Sequence, residues 1–195
     1  MTRKVRELID GGIYHVYNRG NGSMEIFRTE ANYLFFLKKL RIIKIELGID
    51  IYHYCIMPNH FHLLLQVKRA LDLSVFMHRA QLSYAKYFQN RSDFVGHVFQ
   101  ERFRSPRIAK DSYYLQCGRY IERNPVKAGL VKKATAYPFS SAAFYGCGKP
   151  DPLVTPNILY MGLGKNARER QDRYQKFLSV DEPYENLIEN ALRRA

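Results

Sequence analysis

A chain of 195 residues suffices for one domain with its own core and a smaller appendage. Lys+Arg 31 against Asp+Glu 18 leaves a net charge of +13, which favours a polyanionic partner, nucleic acid ahead of an anionic membrane surface. No run reaches the ~18 apolar residues of a membrane span, and the first residues, MTRKVRELID, hold no signal-peptide apolar core, so a cytoplasmic protein is expected.

In chain order, GIYHVYN at 12–18 predicts a strand ended by the turn-rich RGNGS. Thr29 caps a helix over 30–47, whose Tyr33, Phe36, Leu37, Leu40 and Ile43 recur at helical spacing before Gly48 closes it. Two strands follow at 49–57 and 60–67, on either side of MPN. A second helix runs from Leu71 to about Asn90 with Leu73, Phe76, Met77, Ala80, Tyr84 and Tyr87 on one face. Residues 97–109 read as extended, with Pro106 marking an edge position or a break. A third helix spans Asp111 to Asn124. The order β-α-β-β-α-β is that of a ferredoxin-like α+β sandwich, an antiparallel sheet with helices on a face. From Gly146 the composition becomes Gly/Pro-rich. The expected division is a main domain over 1–146, a linker over 147–165 and a helical C-terminal extension over 166–195, with helices near 166–178 and 183–194. Cys55, Cys117 and Cys147 lack C-x-x-C spacing and read as reduced thiols.

The chemistry concentrates in IYHYCIMPNHFHLLLQV at 51–67. Alternation along a strand puts His60 and His62 on one face, where two imidazoles can share a metal ion. A hydrogen-bonded pair on a half-exposed strand accounts for the two histidines equally well. A third ligand is offered by Asn124, and a nucleophilic phenol by Tyr120, one turn apart on a helix face. Asn before Pro125 also reads as a helix boundary, and Tyr120 as one core tyrosine among many.

Five stretches then appear in order: YHVYNRGNGSMEIF, YHYCIMPNHFHLLLQ, GHVFQERFRSPRI, YIERNPVKAGLV and YPFSSAAFYG. Together, over residues 12–146, they resemble the single-tyrosine HUH transposases, in particular the branch associated with repetitive extragenic palindromes (REP). The resemblance implies that His60 and His62 bind a divalent metal ion, Mg²⁺ or Mn²⁺, completed by Asn124. It implies that Tyr120 is the nucleophile of a metal-dependent endonuclease and strand transferase acting on single-stranded DNA near hairpins through a 5′-phosphotyrosine. Generic preferences of a two-imidazole site point instead to Zn, Cu, Fe or Ni. Arg19, Arg102, Arg104, Arg107, Lys110, Arg119, Arg123 and Lys127 are the candidate DNA-binding residues, with Arg19 alternatively capping its turn. Tyr113 and Tyr114 lie about two turns from the metal-facing end of the helix and are not expected to act. His15 and His53 read as sheet residues. Relatives act as homodimers or as monomers, and both stay open. The rival readings are a hairpin-binding descendant without chemistry, a ferredoxin-like RNA-binding module, and a metallohydrolase using His-x-His and water. The module lacks the aromatic RNA-binding signature, and the hydrolase lacks an acidic ligand cluster after His62.

Overall fold

Alternation of side chains along three strands divides the apolar residues between two faces of one sheet. The computed structural model describes residues 7–108 and 111–180, and for 111–113 the backbone alone. β1 (Ile13–Arg19), β2 (Asp50–Ile56) and β3 (His60–Gln66) form an antiparallel sheet in the order β1-β3-β2. Tyr14, Val16, Ile51, Tyr54, Phe61, Leu63 and Leu65 share a core with the buried faces of α1 (Glu30–Leu47) and α2 (Ala70–Gln89). On the opposite face Cys55 and Leu64 meet Tyr114, Cys117 and Ile121 of α3 (Asp111–Lys127). The α+β sandwich is the expected one, with the third helix closing the second face.

Local signals set the ends of α1. The Asn32 side-chain oxygen accepts the N–H groups of Arg28 and Thr29, each at 3.0 Å. Gly48 takes the left-handed conformation (φ 63°), which lets the Ile49 N–H reach the Lys44 carbonyl at 3.0 Å.

The expected strand at 97–109 does not form a regular ladder. It follows the free edge of β1 through separate bridges at Phe99, Arg104 and Arg107. The His15 N–H donates to the Pro106 carbonyl at 3.0 Å, and Pro106 has no N–H to return. The other edge, along β2, is covered by later chain: Ile56 donates to the Phe139 carbonyl at 2.9 Å and Thr155 to that of Ile51 at 2.7 Å. Pairing of both edges removes the templates for unwanted strand addition.

α3 runs past its expected end at Asn124 to Lys127, with Pro125 inside it. Proline deprives the Ile121 carbonyl of its helical donor. The Asn124 side-chain nitrogen replaces it, 3.2 Å from the Ile121 oxygen and 2.8 Å from that of Tyr120.

Beyond α4 (Ala142–Cys147), the stretch expected as a linker buries Leu153 and Val154 and contains α5 (Ile158–Met161). α6 (Ala167–Ser179) then packs against α3 and α4 through buried Tyr174 and Leu178. The helix expected near 183–194 lies outside the described residues. Among those described, no helix is long and apolar enough to cross a membrane. Cys55 and Cys117 are buried free thiols, and Cys147 is an exposed one.

Candidate active site

His60 and His62 point from the central strand to the α3 side, their rings edge-on with centroids 5.0 Å apart. Each has its Nδ1 engaged. The Asn59 side-chain oxygen lies 2.6 Å from His60 Nδ1, while the Asn59 nitrogen donates to the Ser23 carbonyl at 3.2 Å. This places the proton of His60 on Nδ1 and a lone pair on Nε2. His62 Nδ1 stands 2.9 Å from His15 Nε2. For His62 to present Nε2 to a metal, its Nδ1 donates that hydrogen bond. Burial holds His15 down to about 3 and His62 well below the ordinary imidazole range, the latter with help from its histidine neighbours. Burial also lowers His60, against the Asn124 side chain, which accepts a hydrogen bond from the protonated ring, and with a contribution from the Arg19 charge. Neutral imidazoles with free lone pairs are what a metal requires.

Tyr120 of α3 faces the same spot. Its ring centroid is 5.7 Å from that of His62 and 5.9 Å from that of His15, and the residue is 7% exposed. Lys127 holds its Nζ 5.1 Å from the centre of the Tyr120 ring. Asn124, one turn on, has its nitrogen consumed by two backbone carbonyls, so its oxygen is the atom turned to His60. Pro125 thus has a local consequence for the site, because the carbonyl it orphans orients the amide. Among the described residues no three His, Cys, Asp or Glu side chains gather as a metal set. Two imidazoles and one amide oxygen nevertheless converge, and this donor set fits a divalent ion.

A cleft of about 660 Å³ opens in front of Tyr120, His60 and His62. Arg19, Arg102 and Arg104 line it together with Tyr17, Asn18, Ser23, Asn59, Gln100 and Glu101. Arg19 donates from Nε to Gln100 at 2.6 Å, and Arg104 lies 3.5 Å from Glu101. Gly20 lets the loop after β1 turn tightly, since a Cβ there would collide with the Met24 carbonyl and Ile26. Arg107 is exposed but outside the cleft lining, and Lys110 lies outside the described residues. Arg119 and Arg123, expected to face DNA, turn inward. Arg119 is 1% exposed with its guanidinium over the Phe177 ring, and Arg123 donates to the Leu178 carbonyl at 2.6 Å. Tyr114 is buried against Tyr52 and His53, and Tyr113 has no described side chain.

The model of the IS200-like transposases matches residues 10–124, more than half of the chain and all the site residues from β1 to Asn124. The chain belongs to the IS200-like transposase family. Among solved structures, it is similar to a REP-associated tyrosine transposase bound to a REP hairpin, at 20% identity and TM-score 0.65, over 81% of this chain and 93% of that one. It is also similar to a putative transposase from Deinococcus radiodurans R1, at 17% identity and TM-score 0.44, over 63% of this chain and 97% of that one. The first of these likenesses is one of fold. No curated protein matches.

Two supports of this IS200-like site escape a reading of the sequence. Asn59 was legible only as part of a turn, and His15 only as a strand residue of fitting alternation. Each hydrogen-bonds the Nδ1 of one histidine of the pair. Replacing His15 by Ala is expected to lower divalent-metal affinity by about 10–100-fold, as loss of such supporting hydrogen bonds does. Titration with Mn²⁺, beside a thermal melt to verify folding, measures this.

Proposed function

We propose that this transposase-family chain is a metal-dependent single-stranded DNA endonuclease and strand transferase that cuts near hairpins through a 5′-phosphotyrosine. The observation that carries this is the meeting of Tyr120, His60 and His62 at one cleft lined by Arg19, Arg102 and Arg104, with the Asn124 side chain beside His60. The catalytic unit in this proposal is residues 1–146, connected through 147–165 to the helical extension 166–195.

Arg19, Arg102 and Arg104 hold the DNA backbone in the cleft by neutralising phosphates. The Tyr120 Oη attacks phosphorus, a P–O bond to the tyrosine forms, and the bond to the 3′-oxygen breaks. The phenolic proton is lost, and the departing 3′-oxygen gains one as a hydroxyl. The phosphodiester becomes a phosphotyrosine of similar energy, so attack by another 3′-hydroxyl rejoins DNA without a nucleotide cofactor. Lys127 sets a positive charge beside the attacking ring. His60, His62 and Asn124 would hold a divalent ion, Mg²⁺ or Mn²⁺, which when bound withdraws charge from a phosphate oxygen as a Lewis acid. A paired duplex would hide the target phosphate, whereas single-stranded DNA beside a hairpin bends into the cleft. The structural relative solved with a REP hairpin makes such DNA the first substrate to try.

The test is a gel assay with 5′- and 3′-labelled single-stranded hairpins, from repeats flanking the gene and from a randomised pool, in Mg²⁺, Mn²⁺ or chelator. A metal-dependent covalent adduct is expected. Tight hairpin binding with no adduct under any condition would leave a DNA-binding descendant without chemistry. Arg102→Ala and Arg104→Ala are each expected to reduce the salt slope of hairpin binding by about 0.7 and affinity by about three- to fivefold at roughly 0.15 M salt. Fluorescence anisotropy over a salt series reads both.

A further inference from the structure

Glu122 follows Tyr120 by two positions, yet both its carboxylate oxygens are occupied from parts of the chain far from the cleft. Among the described residues three elements donate to it. His53 Nδ1 of β2 lies 2.8 Å from one oxygen, and the Ser141 hydroxyl, just before α4, donates to the same oxygen at 2.5 Å. The Tyr174 hydroxyl of α6 donates to the other oxygen at 2.8 Å. His53 and Glu122 are completely buried, and Ser141 and Tyr174 are 0% exposed. A carboxylate out of water is tolerated only where such donors are held in place.

We infer that Glu122 is a positioning residue for the nucleophile: β2, the start of α4 and α6 grip its carboxylate and so set the roll of α3 that brings Tyr120 to the histidine pair. This rests on Tyr120 being the nucleophile, as proposed above. At about 100° per residue, Glu122 projects roughly 200° around α3 from Tyr120. The two therefore sit at opposite margins of the helix face seated on the sheet, Tyr120 by His62 and Glu122 by His53. Gly118 makes that seat possible. A Cβ there would stand 2.7 Å from the His53 Cδ2 and Nε2, so the imidazole fits only against bare backbone. The C-terminal extension clamps the helix again through the Arg123 bond to the Leu178 carbonyl at 2.6 Å and the Arg119 guanidinium 5.2 Å from the centre of the Phe177 ring. A phenol oxygen is roughly 8 Å from the axis of its helix, so a roll of about 10° moves it by more than 1 Å, enough to cost on the order of 100-fold in rate.

The experiment compares full-length wild type with Glu122→Gln, Tyr174→Phe, Ser141→Ala and Ser141→Thr. Tyr84→Phe serves as a control, removing a buried hydroxyl that bonds the Ile26 carbonyl away from α3. Three quantities are read: the single-turnover rate of adduct formation on a hairpin in Mn²⁺, hairpin affinity, and amide hydrogen exchange along α3. Glu122→Gln, Tyr174→Phe and Ser141→Ala are expected to slow adduct formation about 10–100-fold, with affinity within about twofold and faster exchange confined to α3. Ser141→Thr, which keeps the hydroxyl, and Tyr84→Phe should retain the wild-type rate. An unchanged rate in both Glu122→Gln and Tyr174→Phe, or an equal loss in Tyr84→Phe, overturns the inference. If the wild type itself forms no adduct, the nucleophile assignment fails separately. Exchange then decides the grip on α3, confined acceleration supporting it and none, or a global one, refuting it.

Discussion

Tyr120→Phe is expected to abolish the covalent protein–DNA adduct, a fall of at least about 10³-fold in its rate of formation, while hairpin affinity stays within about twofold. The substitution removes one oxygen and keeps the ring that packs beside His62 and His15 and under Lys127. The arginines and histidines of the cleft keep their own side chains, so binding and chemistry separate. Denaturing gels of labelled hairpin, with peptide mapping of any residual adduct, make the measurement. Tyr114 is no substitute, because it is 2% exposed, packed between α3 and β2, and burial pushes its phenol far up. The tyrosine to watch is Tyr17, which also lines the cleft, 5.7 Å from the His62 ring centre. An adduct surviving at residue 17 would move the nucleophile from α3 to β1.

The second large effect belongs to the histidines. Replacing both His60 and His62 by Ala is expected to slow adduct formation by about 10²–10⁴-fold, corresponding to the several kcal/mol that metal-ion charge stabilisation supplies to phosphoryl transfer. A chelator should reproduce the loss in the wild type and add nothing in the double variant, since both remove the same interaction. Mn²⁺ titration should show a fall in affinity beyond about 100-fold, more than the removal of a supporting residue such as His15 produces. Hairpin affinity measured in chelator should hardly differ from wild type, because the arginines sit on the rim and not on β3. A double variant that retains metal-dependent chemistry would place the ion elsewhere.

Much of the fold was legible because its signals are local. The spacing of Tyr33, Phe36, Leu40 and Ile43 and the stop at Gly48 give α1 its bounds from neighbours within a turn or two. The strands of 51–67 follow from alternation, and the shared face of His60 and His62 is the same alternation read at one step. Where the expectation differed, a proline's missing N–H intervened. The segment at 97–109 keeps its place along β1 but loses its ladder at Pro106. α3 outlasts Asn124 because a side-chain amide, invisible to helix-end rules, supplies the donor that Pro125 lacks.

The sequence by itself determined the three strands and the first three helices, the pairing of two imidazoles, the one-turn offset of Tyr120 and Asn124, and the basic excess, since each depends on residue type and short spacing alone. The tertiary structure decided which cations serve which role. Arg102 and Arg104 line the cleft, whereas Arg119 and Arg123 are covered by α6. It also turned His15, Asn59 and His53 from ordinary strand and turn residues into supports, and gave Glu122 its three donors. The reason is that burial and hydrogen-bond partnership depend on what packs over a side chain. Here most of the partners come from distant chain, as with Arg123 and Leu178 at a separation of 55 or His53 and Glu122 at 69.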